Sequence, residues 1–187
     1  MSKLRVLVLL ILAVTAVFAQ DKPAPERYTA TAIGTGGGVG GKTLLFNFNI
    51  TRYTTDEEVQ QLAALLKEKG QDALVSAMEK LDCGRIYPVA STGNTIAVAR
   101  KRVVDGIPII TIVTARQMSF TELTSMSRTK QYPFGFVQVK LNPNNKDGGT
   151  GQIMAAAKIR FDKKKGNYEI ESYGNQYIKA VNVRADN

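Results

Sequence analysis

TIAVARKRVVDGIPIITIVTAR, from Thr95 to Arg116, decides how the rest of the chain is read. Two β-branched runs flank Asp105-Gly106, a pair suited to the two positive-φ positions of a type I′ hairpin turn. That turn sets Val104 opposite Ile107, Arg102 opposite Ile109, Val98 opposite Val113 and Ile96 opposite Ala115. The second strand is apolar on both sides, with Ile107, Ile109 and Val113 on one face and Ile110 and Ile112 on the other. Such a strand needs cover on both faces, which places it in the middle of a sheet. Ala97 and Ala99 alternate onto one face of the first strand, where small side chains let a helix or second sheet approach.

Upstream, Arg27 to Ile33 (RYTATAI) alternates as a first strand. Leu44 to Tyr53 is a second, with Leu44, Phe46, Phe48 and Ile50 on its buried face. Thr55-Asp56-Glu57-Glu58 is a capping box that opens a helix burying Val59, Leu62, Ala63, Leu65 and Leu66. Gly70 closes it, and a short second helix over Gln71 to Lys80 turns Leu74, Val75, Met78 and Leu81 inward. Arg85 to Val89 returns to strand.

Downstream, Met118 to Arg128 reads as a loop with at most a turn of helix. Phe134 to Leu141 is a strand, Asn142 to Gly149 a polar turn, and Thr150 to Asp162 a strand with Ile153, Ala155, Ala157, Ile159 and Phe161 on one face. Tyr168 to Tyr173 and Gln176 to Val183 complete the chain as strand, with room for a bulge at Gly174-Asn175. The sum is an α+β fold. It is a mainly antiparallel β-sheet, curved or barrel-like, of about eight or nine strands, with one helical pair inserted between strands 2 and 3.

The N-terminus carries an address. Lys3 and Arg5 precede an apolar run from Val6 to Phe18, and Val17-Phe18-Ala19 supplies a cleavage site. Residues 1–19 therefore read as a signal peptide, 20–26 as a flexible leader and 27–187 as a single domain. The apolar run is shorter than the roughly 20 residues that span a bilayer. No later stretch is long enough to cross one, so the expected location is the periplasm or the extracellular space of a bacterium. Without Lys3 and Arg5, 23 of the 25 basic residues remain against 16 acidic ones, a net +7. The excess favours anionic partners, but no basic block of five or six appears, and nucleic acid is not expected. Arg100-Lys101-Arg102 and Lys163-Lys164-Lys165 read as solvated strand ends beside turns. Cys83, the one cysteine, leaves no internal disulfide and reads as buried and inert, or as paired with another chain.

Gly36 to Thr43 (GGGVGGKT) matches the phosphate-binding loop pattern G-x-x-x-x-G-K-[ST]. That chemistry needs a helix beginning at the Lys and Thr, whereas the next ten residues alternate as a strand. The match reads as a glycine-rich connection, with no nucleoside triphosphate as partner. The chain contains no His, which removes the commonest general base and the commonest transition-metal ligand. No cofactor or metal is expected. Asn142 to Gly149 (NPNNKDGG) lacks the closing Glu of a calcium loop. Glycosidase-type chemistry would have to come from Glu122, Glu169, Glu171 or Asp105, and Glu169 and Glu171 read instead as a face balanced by Lys158 and Arg160. The candidate ligand contacts are Arg116, which ends the apolar strand, and Tyr132 and Phe134 beyond the Ser/Thr-rich segment. A strand-end Arg can anchor a carboxylate or phosphate, or hold its own loop.

Four stretches carry a resemblance: TTDEEVQQLAALLKEKGQDAL from Thr54, TARQMSF from Thr114, YPFGFVQVKLN from Tyr132 and GQIMAAAKIRFDKKKGNYEIESY from Gly151. Together they resemble an uncharacterised family of small exported proteins of acidobacterial type. In that family an acidic residue often precedes the strand-end Arg, where this chain has Ala115. The resemblance implies a bacterial origin and supplies no activity. The functional expectation is a non-catalytic, exported binding domain, in its leading form a carrier in which a curved sheet and helical lid enclose an apolar pocket. The alternatives are an envelope-protein or polyanion interaction module and, more weakly, a carboxylate-based hydrolase.

Overall fold

Asp105 and Gly106 both take positive φ, at 50° and 77°, and join β4 (Asn94–Val104) to β5 (Ile107–Thr114) as a type I′ turn requires. A computed structural model describes residues 24–35, 40–89, 91–118, 129–142, 148–173 and 177–186. Val104 faces Ile107, Arg102 faces Ile109 and Val98 faces Val113. Ile96 faces Thr114, not Ala115, because Ala97 is the extra residue of a β-bulge.

The remaining strands are β1 (Glu26–Thr35), β2 (Thr43–Ile50), β3 (Gly84–Pro88), β6 (Phe134–Lys140), β7 (Gly149–Asp162), β8 (Asn167–Ser172) and β9 (Tyr177–Ala185). Each of β1 to β7 pairs antiparallel with its successor, β7 continues to β9, and β9 returns to β1. Eight strands thus close a barrel, and no edge is left within that ring. β7 is long enough to serve two partners in succession. Its first residues pair with β9, and Ala157 to Asp162 pair with β8, which lies outside the ring.

Alternation sends one face of each strand into the lumen, and the lumen is filled. Phe46, Phe48, Ile86, Ile96, Ile110, Ile112, Ile153 and Ile178 are fully buried there. Tyr28 and Phe48, opposite one another in register, stack at 4.7 Å between ring centroids. Ala30, Ala32, Ala99 and Ala180 leave the space these large side chains occupy, as eight strands allow. Gly151 is required by close approach, since a Cβ there would lie 2.2 Å from the Gln138 carbonyl oxygen.

Two bulges redirect side chains. Ala97 lies beneath the helices whereas Ala99 lies in the lumen, so the two do not share a face. Along β7, Phe134 pairs with Ala157 but Phe136 with Met154, so two residues of β7 oppose one of β6. Ile153 and Ala155 consequently point into the lumen, while Ala157 and Ile159 pack outside against the helices. The run from Ile153 to Phe161 therefore does not line one face.

The capping box forms. Thr55 Oγ1 accepts from the Glu58 N–H at 3.2 Å, and Glu58 Oε2 accepts from the Thr55 N–H at 2.8 Å. It opens α1 (Asp56–Lys69), which ends at Gly70 with φ 82°, and α2 (Gln71–Met78) starts at the same glycine. Lys42-Thr43 opens no helix: Thr43 begins β2, so the dipole a phosphate loop needs is missing. β1, which precedes that loop, pairs on both sides. Residues 36–39, most of the Ser/Thr-rich segment, Glu122, most of the NPNNKDGG turn and the Gly174-Asn175 position lie outside the described residues.

Thr54 repairs a weak point. β3 and β4 share only two paired positions, Arg85 with Thr95 and Ile86 with Asn94. Beyond them Thr54 stands in as a partner for β4: its N–H donates to the Ala99 carbonyl at 2.8 Å, and its hydroxyl accepts from the Ala99 N–H at 3.0 Å. Cys83 is wholly buried beside it, with Sγ 3.4 Å from the Ala97 carbonyl.

Candidate functional site

The outer wall formed by β4 to β7 is apolar where the helices cross it. Ala97, Val113, Phe134, Phe136 and Ala157 are buried there against Leu66, Leu74 and Met78. The small side chains at Ala97 and Ala157 let α1 and α2 approach, and the bulges place them there. Packing is incomplete on the α1 side. Val59, Leu62 and Ala63, on the inward stripe of that helix, are only half-buried. Between them and Val98, Val113, Ile159 and Tyr168 lies a cleft of about 270 Å³, which Leu66, Leu74 and Met78 also line. Apart from the Tyr168 hydroxyl, which donates to the Ala63 carbonyl at 3.0 Å, every lining side chain is apolar.

Polar contacts pin the helix pair around its rim. Arg52 bridges Glu58 at 2.9 Å, Arg100 bridges Asp56, and Gln71 donates to the Gln131 carbonyl at 3.2 Å. Arg116 bridges Glu79 at 3.3 Å. Exposed pairs of this kind hold about 1 kcal/mol or less each. The helix pair is thus an apolar cover fastened by weak, water-facing links at Arg52 and Arg116 and, more deeply, by Arg100, which also donates to the Thr54 carbonyl at 2.6 Å.

The three candidates from the sequence do not converge on one pocket. Arg116 ends the apolar strand with its side chain 78% exposed, and the carboxylate it holds is Glu79 at the end of α2. It lines a separate polar cleft of about 340 Å³ with Arg85, Asn94 and Thr95. The Tyr132 hydroxyl donates to Glu171 at 2.5 Å, which raises its pKa, and its ring meets Tyr173 edge-on at 5.1 Å. Phe134 is fully buried under the helices, so it supports the wall and does not line the cleft. Residues missed by sequence reading, Val98 and Ile159 above all, owe their position to the bulges. Their signal was the apolar run itself, but period-2 counting assigned Ile159 the wrong neighbours.

Of the carboxylates singled out in the sequence, Glu169 and Glu171 are engaged by neighbouring side chains. Glu169 accepts from Arg160 at 2.7 Å and Lys165 at 2.8 Å, and the Lys165 hydrogen bond draws its pKa down. Glu26 gathers Tyr28, Tyr53 and Lys101 at the mouth of the lumen, with Tyr53 at 2.7 Å. Burial pushes that carboxyl up, but the three hydrogen bonds and the Lys101 charge bring it below its ordinary 4.5. Burial and the adjacent Glu26 push both phenols up. Among the described residues no three Asp, Glu or Cys side chains come together as a metal-ligand set. A larger hollow of about 780 Å³ runs over β6, β7 and β9, but it lies on one wall and carries Gln138, Lys140, Thr150, Gln152 and Lys179.

No protein-family model matches the chain, and neither a curated protein nor a solved structure matches it.

Proposed function

We propose that this protein is an exported, non-catalytic bacterial carrier of a small apolar ligand, held beneath the helix pair. The observation that carries this reading is the cleft of about 270 Å³ with apolar side chains on both of its walls. Small-molecule sites are concave, mostly apolar and closed by a few polar groups, and here the Tyr168 hydroxyl is the one polar group at the wall. The barrel lumen is a poor alternative because Phe46, Phe48 and the surrounding Ile side chains fill it. Export rests on Lys3, Arg5 and the apolar run from Val6 to Phe18. The test is binding of a neutral solvatochromic dye, compared with an Ala63→Phe variant. Ala63 is half-buried at the cleft wall, so a phenyl group there fills the space without entering the core. The reading expects the dye to bind and the variant to bind it about tenfold more weakly at unchanged melting temperature. Absence of dye binding, or equal binding by both proteins, overturns it.

A second reading, an interaction module, draws on a different observation. Val103, Val104 and Ile107 are exposed together at the tip of the β4–β5 hairpin, beside the basic Arg100-Lys101-Arg102 run. Absence of dye binding together with retention on an anionic resin, weakened on Arg102→Gln substitution, would favour it.

A further inference from the structure

We infer that the ligand of this cleft is an anionic single-chain amphiphile, with its tail in the cleft and its head group at the corner where α1 meets α2. The inference rests on the carrier reading and adds the chemistry of the head. A second cleft, of about 300 Å³, opens at the Gly70-Gln71 corner, and Leu66 and Ile159 line both it and the apolar one. Those two side chains are all that the two spaces have in common, so they form the partition a chain would pass.

The second cleft is cationic. Lys67, Lys158, Arg160 and Lys163 line it, against Glu68 as the one carboxylate. Arg160 is already paired with Glu169 at 2.7 Å, whereas Lys67, Lys158 and Lys163 have no carboxylate within ion-pair distance among the described residues. The Lys67 ammonium rests 5.2 Å over the Phe161 ring, which holds it at the cleft wall. Three like charges gathered at one opening repel each other, and an anionic group placed among them relieves that repulsion and gains charge-assisted hydrogen bonds. The polar cleft at Arg116 offers less, because Glu79 pairs with that guanidinium and Arg85, its other cation, donates to the Thr92 carbonyl at 2.9 Å. An apolar slot beside a cationic mouth selects a molecule that is both greasy and negative. Neither a neutral hydrocarbon nor a free inorganic anion uses both spaces.

The experiment displaces the neutral dye with three molecules that share a tail: decanoate, decanol and decyltrimethylammonium. Each is tested below its aggregation concentration, at low and high salt. Decanoate is expected to displace the dye at a concentration about tenfold below that of decanol, as two or three partly exposed charge contacts together allow, with decyltrimethylammonium weakest. High salt is expected to narrow the gap. A Lys67→Gln/Lys163→Gln variant, altered only at exposed side chains, should lose the decanoate preference and bind decanol as before. Equal displacement by decanoate and decanol overturns the inference and leaves the carrier reading standing. A preference that survives in the double variant also overturns it by placing the head elsewhere. Dye binding with no displacement by any of the three would overturn it too, and failure of the dye itself to bind would overturn the carrier reading beneath it.

Discussion

Leu74→Ala and Leu62→Ala remove the same three carbons from the two helices, and the structure assigns them different costs. Leu74 is 4% exposed and packs in the layer with Met78, Val113 and Phe134. Leu62 is half-buried and faces the cleft. Burial of a leucine side chain stabilises by roughly 1.5–3 kcal/mol, and Leu→Ala in a packed core costs about 2–5 kcal/mol once the residual cavity is included. The hole left by Leu74 merges with the cleft and opens toward solvent, which places its loss at the lower end, about 2–3 kcal/mol. Leu62 forfeits about half of the transfer free energy and leaves no new cavity, so its loss is about 1 kcal/mol. Equilibrium urea unfolding measures both, and an unchanged slope shows that the two states being compared are the same. Leu74→Ala also enlarges the cleft, so the dye should bind it at least as tightly as the parent. Equal losses for the two variants would refute the reasoning, because they would mean that the α1 side is packed and no cleft exists in solution.

Thr54→Val keeps the shape but strands the buried Ala99 N–H, and should cost about 1–3 kcal/mol in the same unfolding experiment, with Thr54→Ser close to the parent. A harmless Thr54→Val would mean that β4 does not depend on this contact. Tyr53→Phe removes one of the hydrogen bonds that hold the Glu26 carboxyl below 4.5. A depressed carboxyl contributes stability above its unfolded-state value and loses it as pH falls through its folded-state value. The deficit of the variant should therefore be largest at neutral pH and shrink below about pH 4.5; a deficit that ignores pH would disprove the assignment. Cys83 is fully buried, so a thiol reagent should label it only in denaturant, and rapid labelling of the native protein would contradict its placement.

What was legible in the sequence is what neighbouring residues decide together. Asp105-Gly106 forms its turn, Thr55 and Glu58 cap their helix, and Gly70 breaks it, because each involves residues no more than four apart. The double-sided apolar strand at Ile107–Thr114 is covered by the lumen at Ile110 and Ile112 and by the helices at Val113, while Ile107, at the hairpin tip, stays exposed. The same local logic reads the residues that follow Lys42 as a strand, and they form β2 from Thr43.

The candidate site was much less legible. Arg116, Tyr132 and Phe134 stand out along the chain, yet they reach a polar cleft, a surface tyrosine pair and a buried wall. The cleft is made by Leu62, Val98, Val113 and Ile159, which are ordinary apolar residues in sequence and come from four different elements. Period-2 alternation determined which residues of each strand share a face only up to the next bulge. Ala97 in β4 and the Ala155-Ala156 pair in β7 are where a closing ring must turn its strands, and nothing in an alanine announces that. The sequence by itself therefore determined the strands, the turns, the helix pair and the class of fold, because those follow from short-range sterics and hydrogen bonding. Closure through β6–β7 and β9–β1, the filling of the lumen, and the space left beneath the helices were decided by tertiary structure, because each depends on how side chains from distant segments share one volume.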